Sequence, residues 1–586
     1  MGKAYKNGLR LAAVASVGAL ALAACGGGST SSDASGSAAA AGVTEGTKGG
    51  TINALTLSEQ WQHVDPQRMY TGVDIAFFTG YTTRTLTQYK YAPGAEGTTI
   101  VPDMATDLGT ASADAKTWSF TIRDGVSFQD GTPVTCEDIK YGVSRTFATD
   151  IITDGPTYAI SYLDIPKLED GTSEYKGPFL AEGSIVAGFD KAVTCSEDNK
   201  TITFKLNRPV GDFNYAVTLP AFSPVPKAAD TGEKYDDNYV ATGPYKIQEY
   251  TKGQKMVLVR NENWDPASDD YHLAYPDQIV VSFAIDAAAI DQRLIADAGE
   301  DKTAVMVGQL QPENLATIFG TDDPRFKDRS VDGYDPYVRY TVINTQKVPN
   351  LKQRIAIAVA INRAEVIAAR GGDFAGDIAD GVIKPNLAAD YAPSGMWTDM
   401  FGQAVPDTGD PEFAKKLIAE SGEPMPELTY QFPQNPVDEK IAASYQAALA
   451  KAGITVKLEP IEPSQYYGIV FDPEKAQALI RSGWAPDWQN ASTVIPELFG
   501  KTGGFNLGLV DDPAFEAKVQ EAAAMTDRAA QGKAWQALNK EAMQNAWVVP
   551  TVFGKAQFLW GSNVGNAFLW DPYGSMPYGA LFVKSA

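Results

Sequence analysis

The stretch from Glu427 to Glu459 constrains the fold more than any other. "ELTYQF" has the composition of a strand, and residues 437–452 place Ile441, Tyr445, Ala448 and Leu449 on one helical face. Gly453 ends that helix, and "ITVKLE" (454–459) alternates apolar and polar residues again. A strand, a helix and a strand at this spacing make a βαβ crossover, which requires parallel pairing and a right-handed connection. In open sheets of this kind ligands bind beyond the carboxyl ends of the strands. "ALIRSGW" reads as another strand and "APDWQN" follows its carboxyl end, so a site is expected there.

Other elements carry equally local signals. "TINALTL" from Thr51 and "TITFKL" (201–206) are short strands, and Trp118, Phe120 and Ile122 alternate along a third. Asp124-Gly125 and Asp130-Gly131 are turn dipeptides, and Thr135 with Asp138 starts a helix over about 136–147. "GPYKIQEYTKGQKMVLVRN" folds back as a hairpin around Lys252-Gly253. In "GDPEFAKKLIAESG", Asp410 is an N-cap, Pro411 opens the first turn and Gly422 closes the helix. With 586 residues, two to four structural units are expected.

Charge narrows the partners. The net −23 repels phosphate backbones and anionic lipid headgroups, which disfavours nucleic acid. His63 and His272 are the only histidines, leaving little imidazole for metal ligation or general-base chemistry. The first 25 residues read as an export signal. Lys3, Lys6 and Arg10 form a basic region, "LAAVASVGALALAA" is too short to span a bilayer comfortably, and "LAAC" ends it. A cysteine at that point, Cys25, resembles the lipidated residue of bacterial lipoproteins, and the Gly/Ser/Ala-rich residues 26–50 read as a flexible leash. Cleavage removes three positive charges and no negative ones, which takes −23 to −26. Cys136 and Cys195 then remain, either as a disulfide or as two buried thiols, and zinc needs more ligands than they supply.

"TWSFTIRDGVSFQDGTPVTCEDIKYGVSR" resembles the signature of the extracytoplasmic dipeptide- and oligopeptide-binding proteins of ABC importers. "VDPQ", "VPDMATDLG", "TGPYKI", "NENW", "INTQKVPNLKQRIAIAVAINRAEVI", "DPEFAKKLIAESG", "AGITVKLE" and "SGWAPDW" follow in the family's order, across essentially the whole mature chain. The resemblance implies an α/β fold of the periplasmic-binding-protein type II kind, two lobes with a hinge and an inserted third domain. Carried over, the layout is a signal peptide at 1–24, a tether at 25–48 and lobe one at 49–85, 211–285 and 549–586. The inserted domain is 86–210 and lobe two is 286–548, with hinges near 285 and 548.

The same resemblance assigns site residues. An Arg-x-Gly-Trp-x-x-Asp run lies at the family's cleft, matched here by Arg481, Gly483, Trp484 and Asp487. Its Asp pairs with a peptide α-ammonium, and its Arg can meet a terminal carboxylate. Pro486 and Trp488 beside Asp487 depart from the family's pattern, and their bulk is expected to narrow or reshape the ligand pocket. Tyr70, Gly72 and Val73 belong to the lobe-one segment along which peptide backbone lies extended. The bottom-up alternative for Arg481 is a structural pair with another acid. A buried Asp487 needs a partner or it takes up a proton, and an incoming ammonium is such a partner.

The resulting expectation is a monomeric, lipid-anchored receptor that captures peptides and delivers them to a permease with separate ATPase subunits. The chain has no phosphate loop of its own, and the reading requires no cofactor or metal. An oligosaccharide or metal chelate is the alternative guest. A secreted glycoside hydrolase is the competing function, since 72 acids always offer carboxylate pairs.

Overall fold

The computed structural model describes residues 43–179, 187–237 and 239–584. Cys25, the expected signal peptide and most of the tether lie outside the described residues.

The βαβ unit forms as its sequence requires. Leu428–Pro433 and Val456–Ile461 pair in parallel, Leu428 opposite Val456, and the helix Pro436–Lys451 joins them. Asn435 caps that helix by accepting from the amides of Val437 and Asp438, while Ile441, Tyr445, Ala448 and Leu449 are buried. Leu479–Trp484 lies parallel to Leu428–Pro433 on its other side. Ser330–Ile343, Val548–Leu559 and Gly376–Ile378 complete a six-stranded sheet by antiparallel pairing.

A second sheet of five strands is built around Thr51–Thr56, which runs parallel to both Gln278–Ser282 and Ala304–Val307. Tyr245–Thr251 and Lys255–Arg260 continue it as the expected hairpin, with Gly253 in the left-handed region at φ 74°. Each sheet has its own apolar cluster, so the chain carries two cores. A third sheet of four short strands includes Thr117–Thr121, whose Trp118 and Phe120 are buried. The helix Cys136–Arg145 packs beside it, opened by a capping box in which Thr135 N donates to Asp138 Oδ2 at 2.9 Å. A disulfide joins Cys136 to Cys195, closing the choice that the sequence left open.

The crossing points between the cores fall later than 285 and 548. Ala304–Val307 belongs to the five-stranded sheet although it follows residue 285, and Val548–Leu559 begins in the six-stranded sheet although it was assigned to lobe one. Along that last strand, Val548 to Phe553 sit in one core and Ala556 to Leu559 in the other. Its partner strand changes sides too: Val331 packs on the first core, whereas Tyr334 and Val338 pack in the second. Two paired antiparallel strands therefore cross together, with a register irregularity between Tyr334 and Val338. Paired strands hold each other's register while the chain bends, which is why the crossing sits inside a ribbon rather than in loops.

Beneath the five-stranded sheet lies a closed charge network. Arg84 Nε donates to Asp103 Oδ1 at 2.8 Å and lies 3.4 Å from Asp269 Oδ2. His272 Nδ1 is 2.9 Å from Asp269, and its Nε2 is 2.7 Å from the carbonyl oxygen of Thr79. A carbonyl only accepts, so Nε2 carries a proton, and the carboxylate keeps the other one on Nδ1. Two cations thus meet two anions with no residual charge, the condition under which buried ions are tolerated. Thr79 lies in the helix Gly72–Tyr81, so the network fixes the helix that directly follows Tyr70.

Burial alone would push His272 down, but the charge and hydrogen bond of Asp269 raise it above its ordinary value. Its stabilisation is complete below the unfolded value of about 6.5 and is lost as pH rises through the higher folded value. Urea unfolding is therefore expected to show the gap between wild type and His272→Gln narrowing as pH climbs above about 7; a constant gap would contradict the doubly protonated imidazole. Removing both disulfide sulfurs (Cys136→Ser with Cys195→Ser) should cost about 2–4 kcal/mol in the same assay.

Candidate functional site

Leu479–Trp484 ends at Trp484, and the chain then bends through Pro486 to Asp487. Two contacts with Thr493 fix the bend. Trp484 Nε1 donates to the Thr493 carbonyl at 2.7 Å, and Asp487 N donates to Thr493 Oγ1 at 3.1 Å. Asn490 makes this possible by capping the short turn Ala491–Thr493, accepting from Ser492 N at 3.0 Å.

The carboxylate so placed is gripped by two phenols from distant parts of the chain. Tyr70 OH donates to Oδ1 at 2.8 Å, and Tyr158 OH donates to Oδ2. Tyr70 precedes the helix Gly72–Tyr81, while Tyr158 opens the helix Tyr158–Tyr162 near the four-stranded sheet. Neither donor is charged, so Asp487 is solvated by hydroxyls and not neutralised. Burial pushes its carboxyl up to about 6; the Tyr158 and Tyr70 hydroxyls oppose that shift, and the nearby negative Glu497 adds to it.

Asp487 lines a cavity of roughly 600 Å³ whose walls include Tyr70, Tyr158, Tyr162, Trp484, Glu497 and Phe505. Trp484 and Phe505 pack with ring centroids 4.5 Å apart, and Glu497 is steadied by the Gly504 amide at 2.9 Å. A space of this volume, with aromatic walls from Tyr162, Trp484 and Phe505 beside the charged Lys167, Arg208, Asp487 and Glu497, suits a small organic guest that is partly polar.

The remaining sequence candidates separate. Arg481 does not reach Asp487: its Nε meets Asp438 Oδ1 at 3.3 Å, a structural pair. Trp488 does not line the cavity. It is 1% exposed, packs edge-on to Tyr158 at 4.6 Å, and its Nε1 donates to Asp212 at 2.8 Å, within the core of the five-stranded side. An aromatic next to a site acid reads as a pocket wall, but alternate residues on an extended turn point opposite ways. Gly72 packs on the chain instead, since a Cβ there would stand 3.0 Å from the carbonyl oxygen of Tyr573. Val73 lines a different cavity, of about 460 Å³, with Trp61 and Asp74. Tyr158, Tyr162 and Glu497 were not foreseen. The i, i+4 tyrosines of "TYAISY" signal an aromatic helix face but nothing about a carboxylate 329 residues away.

The cavity is walled by residues of both cores. The family description "Bacterial extracellular solute-binding proteins, family 5 Middle" matches residues 99–506. The chain belongs to that family, whose members bind solutes and are not enzymes, and its α/β fold is of the two-lobed periplasmic-binding-protein type II kind. It is similar to the oligopeptide-binding protein OppA of Bacillus subtilis, 24% identical over 443 residues, covering 72% of this chain and 74% of the relative. Periplasmic OppA of Escherichia coli is 26% identical over 460 residues, covering 75% and 77%. Among solved structures, the clavulanic acid biosynthesis oligopeptide binding protein 2 superposes with a TM-score of 0.81 at 25% identity, covering 94% of this chain and 98% of its own. Among the described residues, no helix is long and apolar enough to cross a membrane.

The opposing influences on Asp487 are separable by carbon-detected NMR titration. The wild-type carboxyl should titrate near 6, and Tyr158→Phe, which removes a hydroxyl that favours the anion, should move that midpoint upward. An unchanged or lowered midpoint would mean that the phenol does not support the charge.

Proposed function

We propose that this protein is the peptide receptor of an ABC importer. It takes a peptide by its free α-ammonium at Asp487, closes two lobes over it and hands it to a permease served by separate ATPase subunits. The observation that carries the reading is the Asp487 carboxylate, held by two neutral hydroxyls at the wall of a cavity. An ammonium there completes a charge pair in a poorly solvated place, where such a pair is stronger than in water. The names of the relatives, oligopeptide-binding proteins, support the same guest. Trp484 supplies an apolar floor, and Tyr70 brings the lobe-one side to the guest.

In this reading Cys25 carries the lipid and the Gly/Ser/Ala tether lets a monomeric receptor stand off the outer face of the cell membrane. In this reading an inserted domain at 86–210 accompanies the two lobes, and the paired strands Ser330–Ile343 and Val548–Leu559 cross between them. A sugar guest is less well served, because an uncharged ring offers no cation to the acid on which the two phenols converge. The hydrolase reading is set aside by membership in a family of binding proteins.

Calorimetric titration tests the amine role. Asp487→Ala should weaken binding of a free-amine tripeptide by about a hundredfold, as loss of a poorly solvated charge pair would, and leave its N-acetylated form, already weak, little changed. Equal losses for both peptides would remove Asp487 from that role.

A further inference from the structure

The five-stranded sheet ends at a cavity of its own, the one that Val73 lines. Thr51–Thr56 runs parallel to Gln278–Ser282 and to Ala304–Val307. Thr56 and Val307, the last residues of two of these strands, line that cavity, and so does Phe283, directly after the other. The cavity therefore lies at the carboxyl ends of three parallel strands, where open sheets place their ligands. It also adjoins the Asp487 site. Tyr70 lines the Asp487 cavity, whereas Thr71, Val73 and Asp74 line this one. Consecutive Cα atoms stand about 3.8 Å apart, so both spaces border the same short segment of chain.

Asp74 is the one charged side chain among the residues lining this cavity. It is 4% exposed, and its Oδ2 has no hydrogen-bond partner among the described residues. Burial raises its carboxyl above the ordinary value, against the Thr71 hydroxyl and the amides of Gln62 and His63. The His63 ring acts on it too, but that ring lies between Asp236 at 2.9 Å and Asp154 at 3.4 Å. Trp61, 5% exposed, lines the same cavity, and its Nε1 also has no partner among the described residues. An open acceptor and an open donor on one cavity call for a guest that carries both complements.

We propose that this cavity is a side-chain compartment of the peptide receptor, in which Asp74 selects guests bearing lysine or arginine. The inference rests on the peptide reading and adds a second charge contact on the five-stranded side. The basic head group pairs with Asp74, while its methylene stem lies along Val73, Phe283 and Val307. A peptide also brings carbonyl oxygens, which accept from the Trp61 indole and which a simple amine does not carry. With the α-ammonium at Asp487, an extended guest advances about 3.3 Å per residue along the shared segment. A residue after the first thus brings its side chain to the compartment.

Calorimetry on the purified protein tests this with Ala-Lys-Ala, Ala-Ala-Lys and the same peptides carrying norleucine in place of lysine. At least one lysine peptide should bind wild type about tenfold more tightly than its norleucine counterpart. Asp74→Asn, which keeps the size of the side chain and an acceptor oxygen, should bring that ratio below about twofold. Val73→Phe, which keeps the acid and fills part of the compartment, should lower the ratio as well. Equal wild-type affinities for lysine and norleucine peptides at both positions, or a lysine preference that survives Asp74→Asn, overturn the compartment and leave the peptide receptor standing. Should Asp74→Asn lose its thermal unfolding transition, Val73→Phe decides, and an undiminished lysine preference there overturns the compartment. Failure of every one of these peptides to bind wild type overturns the peptide reading as well.

Discussion

The contact on which the site depends is the one between a carboxylate and two phenols. Asp487 could have been stabilised by an arginine, which would have made a permanent ion pair and a closed surface. Hydroxyls stabilise it differently: Tyr70 and Tyr158 donate to its oxygens without bringing charge. The group is satisfied as a hydrogen-bond acceptor and unsatisfied as an anion. For the proposed receptor that is the state needed before a guest arrives, because a cation would then add an interaction without having to displace an existing partner. The two phenols also come from separate parts of the chain, so the grip exists only when the parts are together.

What brings the parts together follows Asp487 immediately. Trp488 is buried in the opposite core and bonded to Asp212, which also accepts from Ser492 Oγ. Gln489 N donates to Tyr89 OH at 3.0 Å, and its side chain reaches the carbonyls of Asp571 and Pro572. One short segment therefore holds the acid proposed to bind the guest and the anchors into the other core. In the proposed receptor a guest that orders Asp487 would also order those anchors, which would make closure and binding one equilibrium through covalent adjacency. The paired strands Ser330–Ile343 and Val548–Leu559 are a second connection between the two cores.

How much of this was legible depended on range. The βαβ unit, the capping box at Thr135 and the helix opened by Asp410 are written in residues a few positions apart, and each formed as read. The placement of Asp487 past a strand end was legible for the same reason. Arg481 was legible only as an alternative, because its partner Asp438 lies 43 residues back on a helix whose packing no local pattern reports. Tyr158 was not legible at all. Trp488 misled because adjacency in sequence suggests a shared pocket, whereas consecutive side chains face opposite ways. The crossings were misplaced because a strand that passes from one core to another keeps an unbroken apolar pattern through the passage: Val548–Leu559 is buried along nearly its whole length.

The charge of the whole chain bears on the same acid. A protein at −23 surrounds itself with a field that favours a cation over an anion. Salt screens the distant part of that field within about 8–10 Å, so the potential at Asp487 is set by the groups close by. Those groups are the two phenols, which bring no charge, and Glu497, which adds a negative one. Arg481, six residues before Asp487, is held by Asp438 and leaves that balance unchanged. The near field and the far field therefore have the same sign at this carboxylate, and a cation is the partner that both favour.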